Sequence, residues 1–441
     1  MNHLAKLYIN KGFIYLLYFI IIFSSVLDYR LLPLGSDFTY ARVGVLVFWM
    51  LSLGSLFLLK LKIRADNIFY VLLAYSFFKL LSVLYAINIT DAFLSAGFWF
   101  SVSFLYLSLL NLDFKKYFED IKTVIIFAGL FNAFIALLQA FLFINFQIKV
   151  FNIYGWRWPY GFRVTGLSFD ANHLAAFVLL PLIICIDRFI KNRGKIQILY
   201  GVFVFVFFST FYYSASRSGL IALLVGLLIY VFKYVFKYVT FKRLSLAFFG
   251  LVPVIFIMAA VLFTPLTKNK NTPLLKDINS VIFESTKHIS KHGRGLDPSA
   301  FAHFALIYSS FYMQSANNFL GVGAGNFAEG LKQNPYLSKV FLSVDATVFQ
   351  KKDFPAHSMY GEALAEGGFI GLVAFLSILL LINIKYLNLL KSHESLLPFF
   401  VYFYAMCFFM LFYNINEEFF WVFAFVGVNA FILKKADLPP I

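Results

Sequence analysis

One imidazole and two carboxylates fall together in the stretch Phe354 to Leu372, FPAHSMYGEALAEGGFIGL. His357 stands where a long polar segment gives way to an apolar helix, and Glu362 and Glu366 follow one helical turn apart. An imidazole with its ordinary pKa of about 6.5 is largely neutral at pH 7 and can take a proton from an attacking hydroxyl. The plainer reading of such a histidine is a helix cap. The plainer reading of the glutamates is a water-filled groove or an arginine partner. Ionisable side chains within a membrane helix are nevertheless functional candidates by default. Gly361, Gly367, Gly368 and Gly371 leave one helix face bare for close packing.

The elements that must hold these groups are membrane helices. Hydrophobic residues make up 61% of the 441 and charged residues 13%, far from the balance of a soluble domain. Apolar runs long enough to cross a bilayer recur, and they do not alternate as barrel strands would. The fold class is therefore an all-α polytopic membrane protein of about twelve transmembrane helices. The spans are expected near residues 12–29, 41–59, 67–86, 92–111, 119–145, 171–186, 196–213, 218–236, 245–263, 358–384, 396–413 and 418–433. The organisation reads as helices 1–9 over 1–263, an outward subdomain over 264–356, and helices 10–12 over 357–441. No small-residue cleavage site follows Phe13–Leu27, so that run is read as a retained span.

The net charge of +16 suits topology better than nucleic acid, since no basic recognition motif appears. Lys60, Lys62 and Arg64 follow span two, Lys115 and Lys116 span four, and Arg188, Lys191, Arg193 and Lys195 span six. Spans eight, ten and twelve also end in basic residues. This pattern puts both termini in the cytoplasm and the 264–356 segment outside it. That segment should carry an amphipathic helix over Ser299–Phe319, with apolar residues at 301, 304, 308, 311 and 312. Cys185 and Cys407 lie inside apolar runs and suggest neither a disulfide nor a metal site.

On the outward side the arginines are few: Arg157, Arg163, Arg217 and Arg294. Positive charge there runs against the orientation rule. An anionic ligand would account for it, because guanidinium holds phosphate oxygens bidentately. Lipid head groups or loop carbonyls are the alternative partners. His173 and His303 are further single histidines, and Glu417 and Glu418 emerge on the same side. There is no HExxH, no cysteine–histidine cluster, no Asp-x-Asp pair and no P-loop. Gly321, Gly323 and Gly325 have the spacing of a phosphate-binding loop but lack its flanking strand and helix. No metal and no cofactor are expected. A reaction on a phosphate-bearing lipid fits what remains.

Four motifs carry a family resemblance: RVTGLSFDANHLA, SRSGL, NNFLGVGAGNF and AHSMYGEALAEGGFIGL, in that order. Together they resemble the bacterial O-antigen ligases and the related O-antigen and exopolysaccharide polymerases. The resemblance implies glycan transfer from undecaprenyl pyrophosphate to an acceptor at the periplasmic face of the inner membrane, without metal. By resemblance Arg163 and Arg217 bind the pyrophosphate, His357 serves the acceptor, and Asn172, Glu362 and Glu366 support them. The family places an arginine about fifteen residues before the position of Asn318, where this sequence has His303. Either His303 replaces it, Arg294 reaches in, or the donor is held differently. The expected acceptor is a lipid A core sugar. A second lipid-linked glycan (a polymerase) or a protein hydroxyl are the alternatives. A lipid-glycan flippase is the rival outside enzymes, but no inverted repeat is visible and the charged candidates gather at one face.

Overall fold

The computed structural model describes residues 2–24, 40–58, 60, 63–113, 115–150, 162–168, 170–235, 243, 306–307, 309–314, 320–334, 356–414 and 418–431. Arg157, Arg294, His303, Glu417, the span expected at 245–263 and most of the 264–356 segment lie outside the described residues.

The described chain is helical, with no strand among the described residues. In order come α1 (Asn2–Phe23), α2 (Tyr40–Leu58), α3 (Asn67–Leu81), α4 (Ile89–Asn111), α5 (Phe118–Phe146), α6 (Ala171–Lys191), α7 (Gly194–Ser214) and α8 (Arg217–Val235). A short α9 (Phe327–Gln333) precedes α10 (Met359–Leu390), α11 (Leu397–Phe412) and α12 (Glu418–Asn429). Among the described residues seven helices are long and apolar enough to cross a membrane, against the twelve expected. They are built on α3, α4, α5, α6, α7, α10 and α11.

Starts are written in the sequence. Asp66, Asn88, Asp170 and Ser358 cap α3, α4, α6 and α10, each accepting a first-turn N–H. Several boundaries differ from expectation; α10, for example, runs on to Leu390 rather than ending at 384. α1 begins at Asn2 rather than near residue 12, because the polar start with Lys6 and Lys11 is itself a good helix former, and the expected stretch 25–29 lies outside the described residues. α6 continues past Asp187 and Arg188, since Lys191 pairs with Asp187 one turn back at 2.9 Å and Tyr230 donates to the same carboxylate.

α6 and α11 form the centre. In each, 78% of the apolar window is buried, against 17% in α7, which lies at the rim. α6 packs on α5, α7, α8 and α11, while α10 packs on α3, α11 and α12. Gly129 of α5 lies bare against Pro181 of α6, where a Cβ would collide with the ring. α5 to α8, and again α10 to α12, alternate in direction, so the bundle has two chemically different ends. One gathers Glu119, Arg188, Lys233 and Glu394 at the starts of α5 and α11 and the ends of α6 and α8. The other gathers Arg163, Ser214, Arg217 and Ser358, where α7 ends and α6, α8 and α10 begin.

Candidate active site at the polar ends of α6, α8, α10 and α11

The turn between α7 and α8 sets the site. Ala215 takes a left-handed φ of 48°, which reverses the chain and brings the Ser214 carbonyl and the Ser216 hydroxyl to one side. Arg163 donates Nε to that carbonyl at 2.8 Å and Nη2 to Asn172 Oδ1 at 3.0 Å. Ser216 donates to the same Asn172 oxygen at 2.8 Å and accepts from Gly219 N–H at 3.1 Å, capping α8. Val164 N–H bonds Tyr213 O, and Gln139 of α5 receives Thr165 and Gly166 N–H. The loop carrying Arg163 is thus fixed to three helices. Its two hydrogen bonds among the described residues use two of the five donors of the guanidinium.

Burial pulls the Arg163 guanidinium below its ordinary value; Asp170 opposes this shift and the nearby Arg217 charge adds to it. Arg163 is half-buried and Arg217 exposed, so two guanidiniums lie near one another at the edge of the bundle. A phosphate would relieve both the desolvation and the mutual repulsion.

Tyr413, just past the end of α11, connects this corner to the histidine. Its hydroxyl is within hydrogen-bonding reach of Asp170 and Asn172, and burial with Asp170 holds it well above the ordinary tyrosine value, so it stays protonated. Its ring lies edge-on to His173 at 5.4 Å between centroids, and 5.7 Å from the ring of His357. His357 is half-buried and has a left-handed φ of 51°. Only four described non-glycine residues have positive φ, and His357 and Ala215 are both here. Such strain persists only where the surroundings enforce it. They do so here: Ser358 caps α10 and donates to Met410 O at 3.4 Å, and Tyr360 donates to Cys407 O at 3.0 Å.

The two carboxylates of α10 both lie near Lys79 but take different hydrogen-bond partners. Glu362 accepts from the Asn414 side chain, beside Tyr413, and so belongs to the histidine side. Glu366 is buried and pairs with Lys79 of α3 at 2.8 Å. Behind it Gly368 has φ 60° and ψ −159°, which breaks the helix into two pieces. The break frees the carbonyls of Ala365 and Glu366. Val322 N–H takes the first at 2.8 Å and Gly323 N–H the second at 3.0 Å, while Ala324 N–H bonds Ser82 Oγ. Gly321, Gly323 and Gly325 all have positive φ, and a Cβ on any of them would strike backbone of α10, Ala86 or Asp91. The glycine loop therefore binds a kinked helix, and its N–H groups at 322, 323 and 324 are spent on protein. Of the four α10 glycines, three do pack closely, Gly367 and Gly371 on Phe78 and Gly361 on Ser310; Gly368 makes the kink instead.

Arg163, Arg217, Asn172, Glu362 and His357 thus gather at one end, and Glu366 lies behind a salt bridge. Glu418 is also at this end but is buried against Arg42 at 2.5 Å, an arginine that the sequence reading passed over. Tyr413, Asp170, Ser216 and Asn414 were likewise not singled out. The signal was the polar pair Tyr413–Asn414 directly after an apolar span.

Residues 202–376, from within α7 to within α10, match the family model described as O-antigen ligase. The match includes Arg217, the glycine loop, His357, Glu362 and Glu366. Arg163, Asp170, Asn172 and Tyr413 lie outside it and join the site through geometry. No curated protein matches the chain.

Proposed function

With an O-antigen ligase domain in the chain as premise, we propose a membrane glycosyltransferase that moves a glycan from undecaprenyl pyrophosphate to a sugar hydroxyl at the periplasmic face. The acceptor is the lipid A core. The observation carrying this reading is the single hydrogen-bonded corner that joins Arg163 and Asn172, beside Arg217, through Tyr413 to the ring of His357. One part suits a pyrophosphate, the other a hydroxyl.

In the proposed step the acceptor oxygen attacks the anomeric carbon and its proton passes to the His357 imidazole. The bond from that carbon to the pyrophosphate oxygen breaks, and undecaprenyl pyrophosphate leaves as an anion. Arg163 and Arg217 stabilise the charge that grows on it, so little acid assistance is needed. Attack from the face opposite the leaving group inverts the anomeric centre. Arginine takes the role that a divalent metal plays in many nucleotide-sugar enzymes, so transfer should survive chelation. Glu362 orients the acceptor side through Asn414. Arg294 and His303 are proposed as further pyrophosphate contacts.

The test is transfer in vitro by the purified full chain. It takes a defined undecaprenyl-pyrophosphate glycan with lipid A core, a second lipid-linked glycan, or a protein as acceptor. Transfer to lipid A core alone supports the proposal. Transfer only to the lipid-linked glycan makes the protein a polymerase, and transfer only to protein makes it a protein glycosyltransferase. Movement of the lipid-linked glycan between leaflets with no transfer would replace the proposal with a flippase.

A further inference from the structure

The end of the bundle opposite His357 holds a cavity of about 420 Å³ that the glycan-transfer reading does not use. It lies where α6 ends and where α5, α7 and α11 begin. α6 spans 21 residues. At ~1.5 Å per residue this places the cavity about 30 Å from Asp170 and Arg163.

Its lining is charged and asymmetric. Lys122 and Arg188 pair with Glu119 at 2.7 and 3.1 Å and Lys191 pairs with Asp187 at 2.9 Å, so three cations share two carboxylates and the lining keeps a net positive charge. Arg188 donates to Tyr200 OH at 2.6 Å and to Glu119 at 3.1 Å, so its guanidinium is held in one place. The Lys122 side chain is only 5% exposed. Three helices open on the cavity with their N-terminal ends, through Glu119 of α5, Ile196 of α7 and Ser395 just before α11. Helix N-termini favour anions, and one C-terminus, that of α6, opposes them. Beside it, Ile196, Leu199, Val202 and Phe205 are all at least half exposed along the rim helix α7. An anionic head in the cavity would therefore have a strip of apolar side chains on which to lay its tails.

We propose that this cavity is a headgroup site for an anionic phospholipid, with the phosphate held by Arg188, Lys191 and Lys122 and the acyl chains along α7. The site belongs to the basic end of the bundle and is independent of the transfer site. Basic pockets between membrane helices on the side rich in lysine and arginine recognise such head groups.

The experiment is thermal unfolding and lipid retention of the purified full chain. Discs of phosphatidylcholine alone are compared with discs that also contain phosphatidylglycerol, and soluble glycerol 3-phosphate is added to the first. Phosphatidylglycerol should raise the unfolding temperature and be retained selectively. Glycerol 3-phosphate should do neither, because it lacks the tails. Lys191→Gln, a half-exposed position, should weaken retention about tenfold, equivalent to about 1.4 kcal/mol. Lys195→Gln, on the same face but outside the cavity lining, should leave it within about twofold. Ser395→Phe, which fills the cavity, should abolish selectivity and serves if Lys191→Gln fails to fold. Equal retention of phosphatidylcholine, an equal effect of glycerol 3-phosphate, or equal loss in Lys195→Gln would each overturn the proposal. They would point to a non-specific annulus, a soluble anion site and a diffuse charge effect respectively.

Discussion

Glu362 and Glu366 stand one turn apart on α10 and share the neighbourhood of Lys79, but their hydrogen bonds lead to different regions. Around Glu366 every group is answered by protein: Lys79 takes the carboxylate, and the glycine loop takes the carbonyls freed at Gly368. Around Glu362 the chain of contacts runs outward, through Asn414 and past Tyr413 to an arginine corner with donors to spare. The first region is a clamp that fixes the shape of α10. The second sets two arginines beside Asp170, with Tyr413 leading from them toward Glu362. Motif residues so near in sequence can thus serve structure and chemistry separately.

The largest contrast should appear in stability. Lys79→Ala leaves Glu366 buried without its cation and should cost about 3–5 kcal/mol. In detergent this would be read as a strongly lowered unfolding temperature. Lys79→Met with Glu366→Leu should recover much of the loss. A Lys79→Ala protein as stable as the parent would remove the distinction between clamp and corner.

Substitution at the corner should do the reverse. Arg217 is exposed, so Arg217→Lys should keep the unfolding temperature. It should nevertheless lose about 2–4 kcal/mol of transition-state stabilisation, because an ammonium cannot supply the planar fork. Normal transfer at equal protein level would argue against bidentate contact. A smaller effect is expected for Tyr413→Phe, which removes one hydroxyl from between Asp170 and Asn172 and should cost about 1 kcal/mol. Because Tyr413 acts by positioning, its loss should raise the KM for donor and shift the pH profile of kcat, which a purely structural role would not move. Treatment with EDTA is expected to change nothing; abolished transfer restored by Mg²⁺ would call for a metal in place of the arginines.

Much of this was legible in the chain. Apolar length alone locates α5, α7, α8 and α11 within about two residues. Charge alternation separates a basic end from one with scattered arginines, and Arg163, Arg217 and His357 do meet at the latter. The clamp was not legible, because Lys79 and Glu366 are 287 residues apart and each reads alone as a functional charge in a membrane. Opposite charges inside two otherwise apolar spans were the available hint. The kink at Gly368 was hidden for another reason: four glycines on one helix read equally well as packing. Tyr413 was hidden because a tyrosine at a span end is expected as an interfacial anchor.

The central claim is that His357 takes the proton while the arginines hold the donor. Asparagine tolerates the left-handed backbone of this position, so His357→Asn removes the imidazole with little added strain. The measurement is donor binding and single-turnover transfer of this variant, side by side. The account predicts unchanged binding of the undecaprenyl-pyrophosphate glycan and a fall in transfer of about 10²–10⁴-fold. Near-normal transfer, or a loss of donor binding with unchanged chemistry, would contradict it.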